Sequence, residues 1–153
     1  MAQFLGEFDI RIDDKGRLLF PAGLRKQMPP DAQEKFVVNR GFEDCLALYP
    51  YNEWQRISAE VNKLNPYVKK NREFTRFFYR GATEVSLDGS GRILLPKRLL
   101  DFAGIEKDVT LAAYANKVEI WSSKRYSEMQ QVDSDEFASL AEDVMGKARE
   151  ESD

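Results

Sequence analysis

The first part of the chain alternates apolar and charged positions. Phe8, Ile10 and Ile12 are each separated by a single polar residue. A period of two is typical of a β-strand with one buried face. A turn-forming segment, residues 13–16, follows, and apolar residues resume after Arg17. The pattern therefore predicts a β-hairpin over residues 7–20.

The same pattern returns 75 positions later in the chain. Both copies read Asp-x-x-Gly-Arg, then three apolar residues, then Pro; the first copy begins at Asp13 and the second at Asp88. The glycine of each copy permits the positive φ that a tight turn requires. Pro21 and Pro96 end the copies, and each is expected to open a short helix, because proline is tolerated in the first helical turn. The chain thus carries one supersecondary unit twice.

The remaining periodic segments complete two similar units around a helical connection. Asn52 is the expected N-cap of the first long helix. The other predicted elements are strands over residues 36–38, 45–49, 82–87, 92–95, 109–113 and 117–121, helices over about 53–64, 68–79 and 96–104, a helix starting between 133 and 136, and a disordered end at 150–153. Each unit alone has fewer than about 60 residues and would have a marginal core. We therefore predict an α+β, mainly β fold in which the two units pack as a pseudo-twofold β-barrel capped by helices.

Charge is distributed unevenly along the chain. The net charge is −3, but residues 1–100 hold 17 Lys and Arg against 13 Asp and Glu, and residues 101–153 hold 6 against 13. Binding to phosphates depends on the local field of one face and not on the total charge. The first part of the chain is therefore compatible with a nucleic-acid partner.

Residue types exclude several other classes of function. The chain has no histidine, which removes Cys/His zinc sites and the usual acid–base catalyst at neutral pH. Cys45 is the single cysteine, so an intrachain disulfide is impossible and the thiol is expected to be inert in an apolar strand. We predict no enzyme activity, no metal, no cofactor and no small-molecule substrate. The short apolar runs and an N-terminus without signal-peptide features predict a cytoplasmic protein that does not enter a membrane.

The repeated residues resemble the MraZ family. The resemblance is carried by Phe4-Leu5-Gly6, both Asp-x-x-Gly-Arg motifs with their prolines, Leu48-Tyr49-Pro50 with Trp54, Gly81-Ala82, Ala103-Gly104 and Glu119-Ile120-Trp121. It implies two tandem swapped-hairpin units of the AbrB type that form a double-split β-barrel within one chain. It also implies a nucleoid-associated bacterial transcriptional regulator that forms ring-shaped homo-oligomers, for which an octamer is the implied size. The implied ligand is double-stranded DNA with short direct repeats, upstream of the division and cell-wall gene cluster.

The resemblance also implies a division of the chain. We expect a first swapped-hairpin unit at 1–52, linking helices at 53–80, a second unit at 81–127 and an acidic, partly helical tail at 128–153. The resemblance runs from about residue 4 to 126. The tail is therefore expected to lie outside it.

Arg17 and Arg92 are the strongest candidates for DNA contact. An arginine directly after a tight turn can reach a phosphate or the O6 and N7 atoms of guanine. On residue types alone, an equally good reading is that each arginine pairs with the aspartate four residues earlier and holds the turn closed. The repeat and the resemblance favour DNA contact, with the aspartates as orienting groups. The predicted turn-shaping residues are Asp13, Gly16, Asp88 and Gly91.

Further basic residues flank the two turns. Lys15 lies at the tip of the first turn and is expected to contact the DNA backbone, whereas Ser90 takes its place in the second turn. Arg11 precedes the first turn and can flank the same surface. Lys97 follows the second motif, where a solvated helix face is the simpler reading and phosphate contact the alternative. The two units are therefore not equivalent.

A protein-interaction module is the alternative function. MazE-like antitoxins bind a protein partner, and here the acidic tail would carry such binding through Phe137, Leu140 and Val144. A second apolar set, the phenylalanines at 74, 77 and 78, lies between basic residues at helical spacing. We interpret that set as core or subunit interface, in preference to a surface that stacks single-stranded bases.

Overall fold

The computed structural model describes residues 3–30 and 34–152, with side chains up to residue 147. Their strands are β1 (Phe4–Arg11), β2 (Arg17–Leu19), β3 (Lys35–Arg40), β4 (Leu46–Pro50), β5 (Thr83–Ser86), β6 (Arg92–Leu94), β7 (Asp108–Ala115) and β8 (Lys117–Ser122). Their helices are α1 (Ala22–Arg25), α2 (Tyr51–Asn62), α3 (Lys69–Tyr79), α4 (Lys97–Ala103), α5 (Ser123–Met129) and α6 (Ser134–Ser152). The α+β class is confirmed. All eight of these strands lie between Phe4 and Ser122, where they outweigh the helices.

Six strands form one antiparallel sheet in the order β1-β7-β8-β4-β3-β5, and β2 pairs with β6 in a separate ladder. Among the described residues, no ladder joins the edge strands β1 and β5, so the sheet stays open. The expected closed barrel is therefore not observed. The physical reason is that β2 and β6 have three residues each and pair with each other, so neither bridges the edges.

The predicted hairpin over residues 7–20 is wrong in its pairing. β1 pairs along its whole length with β7, from Phe4 opposite Ala115 to Arg11 opposite Asp108, and β2 pairs with β6. The backbone N–H of Ile12 already donates to the carbonyl of Lys107, at 2.9 Å. A period-two pattern indicates a buried face but does not identify the partner strand, and β7 offers β1 a far longer ladder than β2 does.

The two turns are joined to each other across the β2–β6 ladder. The N–H of Phe20 donates to the carbonyl of Gly91, and the N–H of Leu95 donates to the carbonyl of Gly16, both at 3.0 Å. Gly16 and Gly91 have φ of 85° and 78°, which glycine adopts without the strain that a Cβ brings. Each turn is therefore held in place by the other copy of the motif.

One hydrophobic core lies beneath both repeats. The β2–β6 ladder contributes Leu18 and Ile93, α1 contributes Leu24 and α4 contributes Leu99, all at most 3% exposed. The strands of the large sheet supply most of the remainder: Phe4, Phe36, Val38, Leu46, Leu48, Val109, Leu111, Ala113, Val118 and Ile120. Because residues from both repeats fill the same cluster, neither repeat has a separate core.

The helices between the repeats pack through aromatic rings. Trp54 of α2 is buried and stacks on Phe78 of α3, with ring centroids 5.3 Å apart and planes 4° apart. Tyr49 of β4 and Tyr79 also contact the Trp54 ring. Phe78 is thus half-buried against Trp54, whereas Phe74 is 44% and Phe77 is 65% exposed, so none of the three belongs to the main core.

Several helix boundaries differ from the sequence-based expectations. α2 begins at Tyr51 with Pro50 in the N-cap position, so Asn52 is not the cap. The proline fixes φ near −55° and thereby sets the direction of the chain into the helix without a side-chain cap. The sequence pattern missed α5, and α6 continues to Ser152, so the expectation of a disordered end is wrong over 150–152; Asp153 lies outside the described residues.

The chain divides into two compact units, Met1–Ser123 and Lys124–Asp153. The first unit contains both sheets and α1–α4. The second contains α6 and nearly all of α5. In the part of the chain that the structure describes, no helix has the length and apolar character needed to cross a bilayer.

The turn glycines provide the first test. Gly16→Ala should lower the free energy of unfolding by about 1–3 kcal/mol, because φ is 85° and the new Cβ would lie 3.2 Å from Leu100 Cδ1 and 3.3 Å from the carbonyl of Leu95. Gly89→Ala is the matched control, since no atom lies within 4 Å of the position that its new Cβ would take and no positive φ is involved. Urea denaturation measures both. Equal stability of the two variants would contradict the role of Gly16.

Candidate nucleic-acid interface

The outer face of the β2–β6 ladder carries two arginines and two leucines. Leu18 and Ile93 point into the core, so their neighbours on each strand point outward. The outward residues, which we call the ribbon face, are Arg17, Leu19, Arg92 and Leu94. Arg17 lies opposite Leu94, and Leu19 lies opposite Arg92. The structure therefore brings the two predicted arginines onto one surface.

The ribbon face combines positive charge with exposed apolar surface. The two arginines are diagonal neighbours across the ladder, which places their Cα atoms about 7–8 Å apart. Leu19 is 50% exposed and Leu94 is 57% exposed. A two-stranded ribbon has the width to enter the major groove of B-DNA, where arginine can bind guanine with two hydrogen bonds and an apolar side chain can contact the thymine methyl group. The arrangement has the chemistry of a base-reading surface.

In the first turn, Asp13 organises the backbone and the arginine together. Its Oδ1 accepts hydrogen bonds from the N–H groups of Lys15 at 3.0 Å and Arg17 at 2.8 Å. Its Oδ2 accepts one from Arg17 Nε at 2.6 Å. These contacts, led by the backbone hydrogen bond from Arg17, hold the pKa of Asp13 below its usual value. Arg17 therefore forms the ion pair of the structural reading, while its side chain stays 42% exposed on the ribbon face.

In the second turn, a hydroxyl group replaces the ion pair. Asp88 Oδ1 accepts from Ser90 N and Ser90 Oγ, each at 2.8 Å, and from the N–H of Arg92 at 3.0 Å. Arg92 Nη1 donates to Ser90 Oγ at 3.0 Å. The backbone hydrogen bond from Arg92 and then those from Ser90 lower the pKa of Asp88. The two arginines thus share a backbone setting but differ in the contacts of their guanidinium groups.

The flanking basic residues lie in two different places. Lys15 and Lys97 both line one cavity of about 490 Å³ beside β5, together with Glu84 and Ser86. The structure therefore brings together a residue from the first turn and one from the second repeat. Arg11 lies at the end of β1, where its Nε is 3.2 Å from Asp108 Oδ1, and both of these side chains are about 70% exposed.

The sequence analysis missed the two leucines of the ribbon face. Leu19 and Leu94 belong to short apolar runs after each arginine, which were predicted as strands without assigning a face to either leucine. Side chains alternate between the two faces of a strand, and Leu18 and Ile93 take the buried face. This alternation could have identified Leu19 and Leu94 as outward-facing.

Arg25 is a further basic residue near the second turn. Its Nη1 lies 3.5 Å from the position that a Cβ on Gly91 would occupy, and its guanidinium pairs with Glu34. Leu100 stands at the matching place in the second repeat and approaches Gly16 in the same way. Because the basic residue is not repeated in the second copy, comparison of the two copies could not identify Arg25 as part of the site.

The described residues contain no group of three or more His, Cys, Asp or Glu side chains that could hold a metal ion. Cys45 is buried, and its burial raises the pKa of the thiol to about 12. The thiol is therefore protonated at neutral pH, as expected for an inert core cysteine.

The fold and the ribbon face define a β-rich protein with an internally repeated strand–turn–strand unit and one shared cationic surface. Comparison with known proteins identifies this class. The family described as "MraZ protein, putative antitoxin-like" matches residues 3–77 and again residues 78–147. The chain belongs to the MraZ family. The second match extends to residue 147, so the expectation that the tail lies outside the resemblance is wrong.

Individual relatives match over nearly the whole chain. A protein named "Transcriptional regulator MraZ" from Christiangramia forsetii is 44% identical over 95% of this chain and 95% of its own. Proteins of the same name from Cytophaga hutchinsonii and Flavobacterium psychrophilum are 41% and 40% identical, each over 99% of this chain and at least 97% of their own.

The turn aspartates provide a test by pH. Since their pKa values are lowered in the folded state, the stability that they contribute is present above their ordinary pKa of about 3.9 and is lost as the pH falls through the lower folded values. The double variant Asp13→Asn, Asp88→Asn should lose less stability than the unmodified protein between about pH 5 and pH 2.5. Urea midpoints across this range measure the difference.

Asp14→Asn is the control for this experiment, because that carboxylate lies at the surface, 3.9 Å from Lys107 Nζ. It should leave the acid dependence unchanged. A double variant with the same acid dependence as the unmodified protein would contradict the assigned role of the two turn aspartates.

Proposed function

We propose that this chain is a bacterial transcriptional regulator without enzyme activity, which binds short direct repeats in the promoter of the division and cell-wall gene cluster. It would act in the cytoplasm, on DNA of the nucleoid. The single observation that carries the proposal is the ribbon face, where both repeated arginines and two exposed leucines meet on one ladder. The names of the relatives support the same class of function.

The fold behind this surface is, in our proposal, a pair of swapped-hairpin units related by a pseudo-twofold axis. The strand registers support it. Lys35 lies opposite Ser86, and Asp108 lies opposite Arg11. These pairs become equivalent when β1 is shifted by 75 positions and β3 by 73. In the β2–β6 ladder, the shift of 75 positions exchanges the pair Arg17–Leu94 with the pair Leu19–Arg92. Two equivalent strands that pair across a pseudo-twofold axis are expected to show this exchange.

The proposed segments follow from this relationship. Residues 1–52 hold β1–β4 and residues 81–127 hold β5–β8, so each unit supplies four strands. Residues 53–80 hold most of α2 and all of α3, and residues 128–153 form the acidic tail with α6. Because every strand of the first unit pairs with a strand of the second, the units would fold as one domain.

The residues would divide the work of recognition. Arg17 and Arg92 would contact base edges from the ribbon face, with the first turn as the dominant contact because Lys15 stands at its tip. Lys15 and Lys97, which share one cavity, would contact the phosphate backbone, and Arg11 would flank it. Phosphate contacts position a protein on DNA, whereas base contacts provide sequence specificity.

Several copies would engage tandem repeats at once. A ring-shaped homo-oligomer, of eight chains as the family resemblance implies, would present one ribbon face per chain. After the first contact, each further repeat is bound at high effective concentration, so modest single contacts add to tight binding. A short direct repeat is thus a suitable ligand for this arrangement.

The arginines give the direct test. Arg17→Ala and Arg92→Ala should each weaken binding to a repeat-containing duplex by about tenfold or more, because a bidentate base contact contributes about 1–3 kcal/mol. Fluorescence anisotropy titration at constant salt measures the affinity. Lys63→Ala removes a charge directly after the C-terminal end of α2, from a side chain that is 74% exposed, and should leave binding unchanged.

The lysines give a different signature in the same assay. Lys15→Ala and Lys97→Ala should weaken binding to all duplexes alike and reduce the slope of log affinity against log salt by about one each. A folded Arg17→Ala, Arg92→Ala double variant that binds the repeats normally would overturn the proposal.

Binding of a protein partner is the second candidate function. The exposed apolar positions of α6 favour it: Phe137 is 66% exposed, and Leu140 and Val144 are each 56% exposed. The antitoxin-like description of the family agrees with it. In that case the tail, and not the ribbon face, would carry the main interaction.

A further inference from the structure

A groove lies between α2 and α3, on the surface of the first compact unit. Its volume is about 780 Å³. Its apolar lining includes Val61, Leu64 and Phe77, of which Leu64 is 38% exposed and Phe77 is 65% exposed. Large exposed apolar surfaces on a folded protein mark sites of association. The groove is therefore a candidate docking surface.

Basic residues surround this groove. Arg72, Arg76 and Arg80 all contribute to its lining. Arg72 Nη1 donates to the carbonyl of Pro66 at 2.9 Å, which fixes one side of the groove. Within α3, the only acidic residue is Glu73, against four basic residues. A ligand for this groove should thus be apolar on one face and acidic beside it.

α6 has this pattern. Phe137, Leu140 and Val144 follow one another at intervals of three and four residues, so they form one stripe of the helix. All three are more than half exposed in the single chain. At 100° per residue, two acidic residues, Glu136 and Asp143, lie along one side of the stripe. The stripe spans about 10 Å at 1.5 Å per residue, which the 11 residues of α3 are long enough to accommodate.

We propose that α6 of a second copy of this chain docks in the groove between α2 and α3. The apolar stripe would cover Leu64 and Phe77, and the flanking carboxylates would face Arg76 and Arg80. Each copy offers one groove and one α6, so the contact is head-to-tail, and a head-to-tail contact generates a closed ring when its rotation permits. The inference rests on the proposed self-association and not on DNA binding.

Charge reversal tests the contact in the full chain. Arg76→Glu with Arg80→Glu should convert the assembly to single chains, measured by analytical ultracentrifugation. Glu136→Arg with Asp143→Arg should do the same. All four reversals in one chain should restore the assembly, which a merely misfolded variant would not. Lys69→Glu with Lys70→Glu is the matched control, since it makes the same charge change on α3 outside the groove lining and should leave the mass unchanged.

A mixing experiment identifies the occupant. Chains with Arg76→Glu and Arg80→Glu keep α6 intact, and chains with Leu140→Asp and Val144→Asp keep the groove intact. Each variant alone should be a single chain, and an equimolar mixture should form a complex of two chains that grows no further. Circular dichroism of each variant checks its folding.

The other occupants give different results. If α6 occupied the groove of its own chain, the charge reversals would leave the mass of the assembly unchanged, and the proposal would be wrong. If the groove served a different protein, the charge reversals would leave the mass unchanged, which also overturns it. Each variant should still bind a single-repeat duplex. If the unmodified chain assembled but did not bind this duplex, that result would contradict the proposed function and not the docking.

Discussion

The pairing of β2 with β6 is the constraint on which the rest of the structure depends. Its inner residues, Leu18 and Ile93, belong to the common core, and its outer residues form the ribbon face. The turns at either end are fixed by hydrogen bonds from Phe20 to Gly91 and from Leu95 to Gly16. A turn displaced from this ladder would lose backbone partners in both repeats. Stability and the presentation of the arginines are therefore linked.

The ladder also explains how equivalent backbones can carry unequal chemistry. Asp13 and Asp88 accept the same backbone hydrogen bonds from the arginine four residues later. The guanidinium of Arg17 is then held by the Asp13 carboxylate, whereas that of Arg92 contacts the hydroxyl of Ser90. A neutral contact costs less to exchange for a DNA acceptor than an ion pair does. The two turns thus give the surface one shape and two different electrostatic settings.

The sequence predicted local structure better than it predicted pairing. Period-two alternation located β1, and the glycines at 16 and 91 located the turns, because these signals depend on backbone conformation. The partner of β1 was beyond such reasoning, since Ile12 donates to Lys107, far along the chain. The site was predicted in part: the repeat identified both arginines, but the outward leucines were not identified, because residue type alone does not give the face of a strand.

The most direct measurement is site-specific crosslinking of the ribbon face to DNA. A Leu94→Cys variant, whose new thiol replaces a side chain that is 57% exposed, is incubated with repeat-containing duplexes that carry a thiol-reactive base. The native Cys45 is buried and should not react. A cysteine at Phe42, which is 94% exposed in the β3–β4 connection, is the control. We predict crosslinks from position 94, within the repeats only, and none from position 42. Equal crosslinking from both positions, or none from position 94 in a complex that still forms, would contradict the account.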